Sequence, residues 1–477
     1  MLKSFLWFDF ETFGTNPATD WPSQFAAIRT DADLNEIGEP VNLFCKFPED
    51  HLPHPMATLV TGLTPQAVNA RGMAEPEFIQ RILDELMVPG TCAVGYNTIR
   101  FDDEVIRNSL YRNFHDPYLR ERANGNSRWD LIDLVRMTGA LRPEGIQWPK
   151  REDGFNSYKL EELTKANGIE HGDAHDALSD VRATIAMARL IRDKQPKLFQ
   201  FYLDHRFKDK AGALLDLHTK APLVHVSGMF GAAKHCLAVV MPLAGHPVNR
   251  NQVFVYDLSV DPTPLLAMSV EEIQENLFTP RQEGDTRERI PLKGVSLNKC
   301  PALAPLKVLQ AADQTRLGID LDACFRHREI LLSHPELVEK IQAVFSGSPR
   351  KETEDPDQML YSGGFFSWAD KDKMERIREA SPESLGHLQL AFEDGRLDEM
   401  LFRYRGRHYP ETLTQEELSQ WHAFRRQRLS DEDQAVLGFG RFWSDLDIAR
   451  QEASVSDREL LDQLAAYADQ LQAGLTH

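Results

Sequence analysis

Two carboxylates stand inside the first apolar run of the chain. Between Phe5 and Glu11 the residues are Phe5-Leu6-Trp7-Phe8-Asp9-Phe10-Glu11, bulky and apolar except at Asp9 and Glu11. Such a run reads as a buried strand. Successive side chains on a strand alternate faces, so Asp9 and Glu11 share one face. Two carboxylates side by side at a strand end repel each other unless a cation lies between them. Hard divalent ions such as Mg²⁺ or Mn²⁺ prefer carboxylate oxygens.

Two further segments carry acids in a similar setting. Gly95-Tyr96-Asn97-Thr98-Ile99-Arg100-Phe101-Asp102 follows the apolar stretch Thr91-Cys92-Ala93-Val94 and precedes a helix-like segment, which puts Asp102 at a strand-to-helix corner. Asp103 is expected to be a first-turn acid facing solvent. His171-Gly172-Asp173-Ala174-His175-Asp176-Ala177-Leu178-Ser179-Asp180 leads into a segment with apolar residues at Leu178, Val181, Ile185 and Ala188, a helical spacing. Asp180 then lies in the first turns of that helix. Five residues rotate about 500° around a helix, so His175 is expected on the loop or first turn before it. His171 and His175 have the spacing of paired metal ligands, but no third soft ligand lies nearby in sequence, and that reading is not favoured.

Asp9-Phe10-Glu11-Thr12, then Gly95-Tyr96-Asn97 with Phe101-Asp102, then His175 with Asp180 resemble, in that order, the DEDDh class of 3′→5′ exonucleases. Each motif alone is weak; their order and their strand or helix settings make the set specific. Asn126-Ser127-Arg128-Trp129-Asp130-Leu131, Ala140-Leu141-Arg142-Pro143-Glu144-Gly145-Ile146, Leu163 to His171, Leu223 to Gly231 and Leu401-Phe402-Arg403-Tyr404-Arg405 are similar to the bacterial exonuclease I family, so the resemblance covers nearly the whole chain. It implies an α/β ribonuclease-H-like exonuclease domain with a mixed sheet, a small β-barrel-like domain and a C-terminal α-helical domain. It also implies processive 3′→5′ degradation of single-stranded DNA to 5′-mononucleotides, a place in DNA repair and recombination, and docking of the acidic C-terminal tail of single-stranded DNA-binding protein. The alternatives are a 3′→5′ RNA-trimming exonuclease and a non-catalytic single-strand-binding module.

Phosphodiester hydrolysis needs a nucleophilic water and stabilisation of charge on the phosphate and leaving oxygen, which two metal ions about 4 Å apart supply. Asp9, Glu11, Asp102 and Asp180 are assigned to holding two Mg²⁺ ions, with Mn²⁺ as an alternative. Asp9 bridges them and His175 takes the proton from the attacking water. Glu11, Thr12 and Phe101 are placed near the terminal sugar and base. Arg107, Arg136, Arg142 and Lys159 are candidate phosphate contacts, and Trp129, Trp148, Tyr158 and Tyr202 are available for stacking on bases.

The chain has 477 residues, too many for one core. Alternating strand and helix patterns run to Arg192-Asp193-Lys194-Gln195-Pro196, with helices expected near 75–87, 102–113, 129–139, 157–167 and 176–193. Residues 1–195 read as a complete α/β exonuclease domain, 196–347 as a small β domain with helical insertions, and 348–477 as a C-terminal helical domain, where Leu460, Leu461, Leu464, Tyr467 and Leu471 keep helical spacing. The net charge of −19 runs against nucleic-acid binding. Basic residues nevertheless cluster near the motifs, while acidic runs such as 352–357 lie away from them. The five scattered cysteines form no CxxC pair, which suggests neither a zinc site nor a disulfide framework. No apolar stretch approaches a membrane span and the start is no signal peptide, so a cytoplasmic protein is expected; it is taken as a monomer.

Overall fold

The structure, a computed structural model, describes residues 2–172, 176–280, 289–347, 353–430 and 436–475. The chain forms two compact units. The first comprises Met1–Ser127, His171–Arg182 and Lys351–His477, and the second Arg128–Glu170 and Ala183–Arg350.

In the first unit, β1 (Ser4–Thr12) lies inside a mixed sheet with β2 (Pro22–Thr30), β3 (Val41–Phe44) and β4 (Thr91–Gly95), in the order β3-β2-β1-β4; β5 (Ser127–Asp130) follows in sequence, with only Ser127 in this unit. β1 runs antiparallel to β2, with Phe8 opposite Ala27 and Glu11 opposite Gln24, and parallel to β4, with Trp7 opposite Val94. Both faces of β1 are covered. Leu6, Phe8 and Phe10 point into a core with Phe25, Phe78, Ile82, Val105 and Leu110. Each such side chain contributes about 1.5–3 kcal/mol on burial. The helix Glu75–Leu86 presents Phe78, Ile79, Ile82 and Leu86 to that core, one stripe of a 3.6-residue period. The opposite face of β1 carries Phe5 and Trp7 and then, toward the strand's end, Asp9 and Glu11. The alternation expected from sequence is therefore present, and the strand is buried on both sides rather than on one.

Within the first unit, the N-terminal segment shares its core with the C-terminal segment. Tyr111 and Phe114 are buried against Met374, Ile377, Leu397, Met400 and Tyr404. Leu52 belongs to a core with Phe442, Leu446, Leu461, Leu464 and Ala468 from the last two helices, Phe439–Glu452 and Val455–Gly474. Asp50 is fully buried and sits 2.9 Å from the Arg407 guanidinium. The helical segment near the C-terminus thus completes the unit that the first segment begins.

The second unit contains an all-antiparallel sheet of order β10-β6-β7-β8-β9, made from β6 (Leu223–Val226), β7 (Leu237–Gly245), β8 (Gln252–Asp257), β9 (Leu292–Ser296) and β10 (Ala302–Pro305). Leu223, Ala238, Val240, Val253, Val255, Val295 and Leu303 share its core. Trp129 and Tyr202, offered above as stacking surfaces, are fully buried with ring centroids 5.7 Å apart, because each fills the interior of its unit. Among the described residues no helix is long and apolar enough to cross a membrane.

Candidate active site

The end of β1 brings the first two acids to the site. Asp9 is partly buried and Glu11 buried. A register shift between Glu11 and Thr12 ends the regular ladder there, and the Thr12 hydroxyl donates to the Gly14 carbonyl at 2.6 Å. Thr12 thereby shapes the exit of the strand.

The third acid arrives through the turn after β4. A Cβ on Gly95 would lie 2.6 Å from the Phe8 carbonyl oxygen, so only glycine lets β4 approach β1 at this point. Asn97 takes the left-handed conformation at φ 68° and redirects the chain toward the helix Asp102–Arg112. Those two backbone requirements explain the Gly-Tyr-Asn signature. Asp102 opens the helix, and its Oδ1 accepts a hydrogen bond of 3.0 Å from the Phe10 amide. That bond ties Asp102 to the backbone between Asp9 and Glu11.

The fourth acid, Asp180, lies on the first turn of the helix Ala177–Lys194. One carboxylate oxygen each from Asp9, Glu11 and Asp180 fall within 4.8 Å of one another. Burial, then the charges of Asp102, Glu11, Asp180 and Asp176, push the Asp9 carboxyl well above its ordinary range. Burial and the charges of Asp180, Asp102 and Asp176 push Glu11 up to about 8. Acids that resist ionisation because they are buried, and buried beside one another, mark a place where a cation would be stabilised. The donor set is all oxygen, which fits a hard divalent ion rather than a thiophilic one. His175 lies outside the described residues.

Asp176 is a fifth acid that sequence reasoning passed over. Its Oδ2 accepts from the Ser179 amide at 3.2 Å, and its Oδ1 from the Gln24 side-chain amide at 3.1 Å. An Asp three residues before Ser179 at a helix start was the available signal. Gln24 carried none, because its role depends on the β1–β2 register that sets it opposite Glu11.

The other candidates are placed as follows. Asp103 is not solvent-facing: it is buried and paired with Arg120, a partner contributed from 17 positions away. Phe101 packs against the first unit's core. Arg107 is buried, with Nε 2.8 Å from Glu121 and Nη1 2.9 Å from Glu104, so these donors face protein carboxylates. In the second unit, Arg136 pairs with Asp133 at 2.8 Å, and Arg142 lies 3.3 Å from Asp313 and donates to the Val308 carbonyl. Lys159 stays 68% exposed, with Glu161 3.8 Å away.

A mixed sheet that brings carboxylate oxygens of Asp9, Glu11 and Asp180 together, with Asp102 bonded to the strand between the first two, is the kind of acid cluster on which a metal-dependent nuclease is built. The family model for an exonuclease matches residues 6–188, that for the exonuclease I SH3-like domain residues 206–347, and that for the exonuclease I C-terminal domain residues 354–471. The chain is 48% identical over 431 residues to exodeoxyribonuclease I of Escherichia coli strain K12, covering 90% of each. It is similar to the solved exonuclease I of Methylocaldum szegediense, with 51% identity, 98% of this chain and 99% of that one covered, and a TM-score of 0.93. It is equally similar in fold to E. coli exonuclease I in complex with a dA16 oligonucleotide, with a TM-score of 0.93 at 45% identity, covering 98% of this chain and 100% of that one. The chain belongs to the exonuclease I family. Divalent-metal dependence goes with that exonuclease family, and the carboxylate cluster is present to serve it.

Proposed function

We propose that this chain is a 3′→5′ exodeoxyribonuclease that degrades single-stranded DNA processively to 5′-mononucleotides. The observation that carries the reading is the convergence of Asp9, Glu11 and Asp180, with Asp102 bonded to the strand between the first two. These four carboxylates hold the divalent ions, Mg²⁺ by preference and Mn²⁺ as a substitute. When bound, such ions lower the pKa of a coordinated water and stabilise charge on the phosphate oxygens. The protein's own part is to fix the acids before substrate arrives. The β1 ladder positions Asp9 and Glu11, the Phe10 amide positions Asp102, and the Asp176 cap starts the helix that carries Asp180. His175, next in sequence to that cap, is assigned the proton of the attacking water.

The E. coli relative solved with dA16 supports single-stranded DNA as the substrate; repair and recombination are the setting that the resemblance implies. A solved SSB/Exonuclease I complex with 45% identity to this chain supports docking of single-stranded DNA-binding protein; that its acidic C-terminal tail makes the contact is what the resemblance implies. The three segments 1–195, 196–347 and 348–477 are retained as the sequence-level division, and a cytoplasmic monomer as the working form. All five cysteines are buried and none is in a disulfide, which suits a reducing compartment.

Labelled DNA and RNA oligonucleotides of one sequence, incubated with and without Mg²⁺, test the proposal. Stepwise loss of 5′-mononucleotides from the 3′ end of DNA, only with metal, is expected. Equal or faster trimming of RNA would replace the substrate assignment, and metal-independent cleavage would remove the mechanism.

A further inference from the structure

His171 stands beside the acid cluster and has no part in the mechanism above. Its ring is 9% exposed, and Nε2 lies 2.6 Å from Oδ1 of Asp180, which is itself 19% exposed. The segment lies close against the start of the helix bearing Asp180: a Cβ at Gly172 would come within 3.2 Å of the Ser179 hydroxyl oxygen. The Asp180 amide bonds to the Asp176 carbonyl at 3.1 Å, which fixes the helix turn but not the side-chain torsions. A donor on Oδ1 constrains those torsions. Carboxylates and imidazoles that bind metals are commonly oriented by such neighbouring hydrogen bonds, and losing one typically weakens metal affinity or activity 10–100-fold.

We infer that His171 is a positioning residue for the metal site: its Nε2–H holds the Asp180 carboxylate in the orientation that completes the cluster with Asp9 and Glu11. The inference rests on the proposal that these acids bind a divalent ion. It assigns His171 no contact with metal or substrate, and the His171–His175 ligand pair weighed from sequence is not needed.

The test is Mn²⁺ binding to the full-length protein, read by electron paramagnetic resonance of the free ion, with melting temperature as a folding check. His171→Ala should raise the Mn²⁺ dissociation constant about 10–100-fold. His171→Gln, whose side-chain amide can donate from nearly the same place, should stay within about 3-fold of wild type, whereas His171→Leu should behave like the alanine variant. In nuclease assays the loss should appear as a higher metal concentration for half-activity, with the KM for the oligonucleotide unchanged. In an Asp180→Asn background, His171→Ala should add no further loss. Unchanged Mn²⁺ affinity in His171→Leu, a glutamine variant as weak as the leucine one, or additive losses in the Asp180→Asn background would each overturn the positioning role. If Asp180→Asn itself leaves Mn²⁺ affinity unchanged, the metal-site reading fails instead.

Discussion

Glu11 shows how a single residue links stability to chemistry. Burial, with Asp180, Asp102 and Asp176 around it, raises its carboxyl to about 8, so the folded metal-free protein favours the protonated form more than the unfolded chain does. The stability tied to that proton is present below about pH 4.5 and lost as pH rises through about 8. With a chelator present, the melting temperature should therefore fall across that window, and Mg²⁺ at pH 8 should restore it; a flat profile would show that the acids do not crowd. Asp9→Asn should raise the metal-free melting temperature by removing one repelling charge, and lower turnover by about 10³-fold or more. Arg107→Ala should cost about 3–5 kcal/mol in chemical denaturation, because Glu104 and Glu121 lose a buried partner. It should leave the salt dependence of DNA binding unchanged, and a flatter slope would return Arg107 to the DNA path. The acids of β1 were legible because strand alternation is local. The burial of Asp103 was not, since its partner Arg120 reaches it only through the folded turn between them.

At the scale of elements, the turn between β4 and the Asp102 helix is the most constrained piece of the site. Gly95→Ala would press a methyl group on the Phe8 carbonyl, separate β4 from β1 and pull Asp102 from the Phe10 amide. A loss of roughly 1–3 kcal/mol is expected, together with a raised metal requirement for cleavage. A variant with native stability and unchanged metal dependence would contradict this account of the turn. Helices at 75–87, 102–113 and 176–193 were readable to within a residue or two, since Glu75–Leu86, Asp102–Arg112 and Ala177–Lys194 all carry a regular apolar stripe. Trp129 was open to either reading, because an aromatic residue at a strand end has the same local pattern whether it is buried or stacks on a base.

The whole molecule differs most from its sequence pattern in what completes the first unit. Asp50 and Arg407 are 357 positions apart, and no local periodicity reports a pair at that separation. The helical character of the C-terminal third and the β character of the middle were visible; that the helices close the core of the first segment was not. A fragment ending at Gln195 should consequently lack a cooperative thermal transition, since it uncovers Tyr111 and Phe114 and leaves Asp50 without Arg407 and Arg428. A fragment that melts cooperatively and still trims short oligonucleotides would show that residues 1–195 suffice.

The central claim is that Asp9, Glu11, Asp102 and Asp180 hold the divalent ions that drive hydrolysis. Anomalous diffraction from crystals grown with Mn²⁺ and a cleavage-resistant single strand tests it most directly. The account predicts an anomalous peak about 2.0–2.2 Å from carboxylate oxygens of Asp9 and Asp180, beside the terminal phosphate. A fully occupied Mn²⁺ elsewhere, with no peak among these four acids, would contradict it.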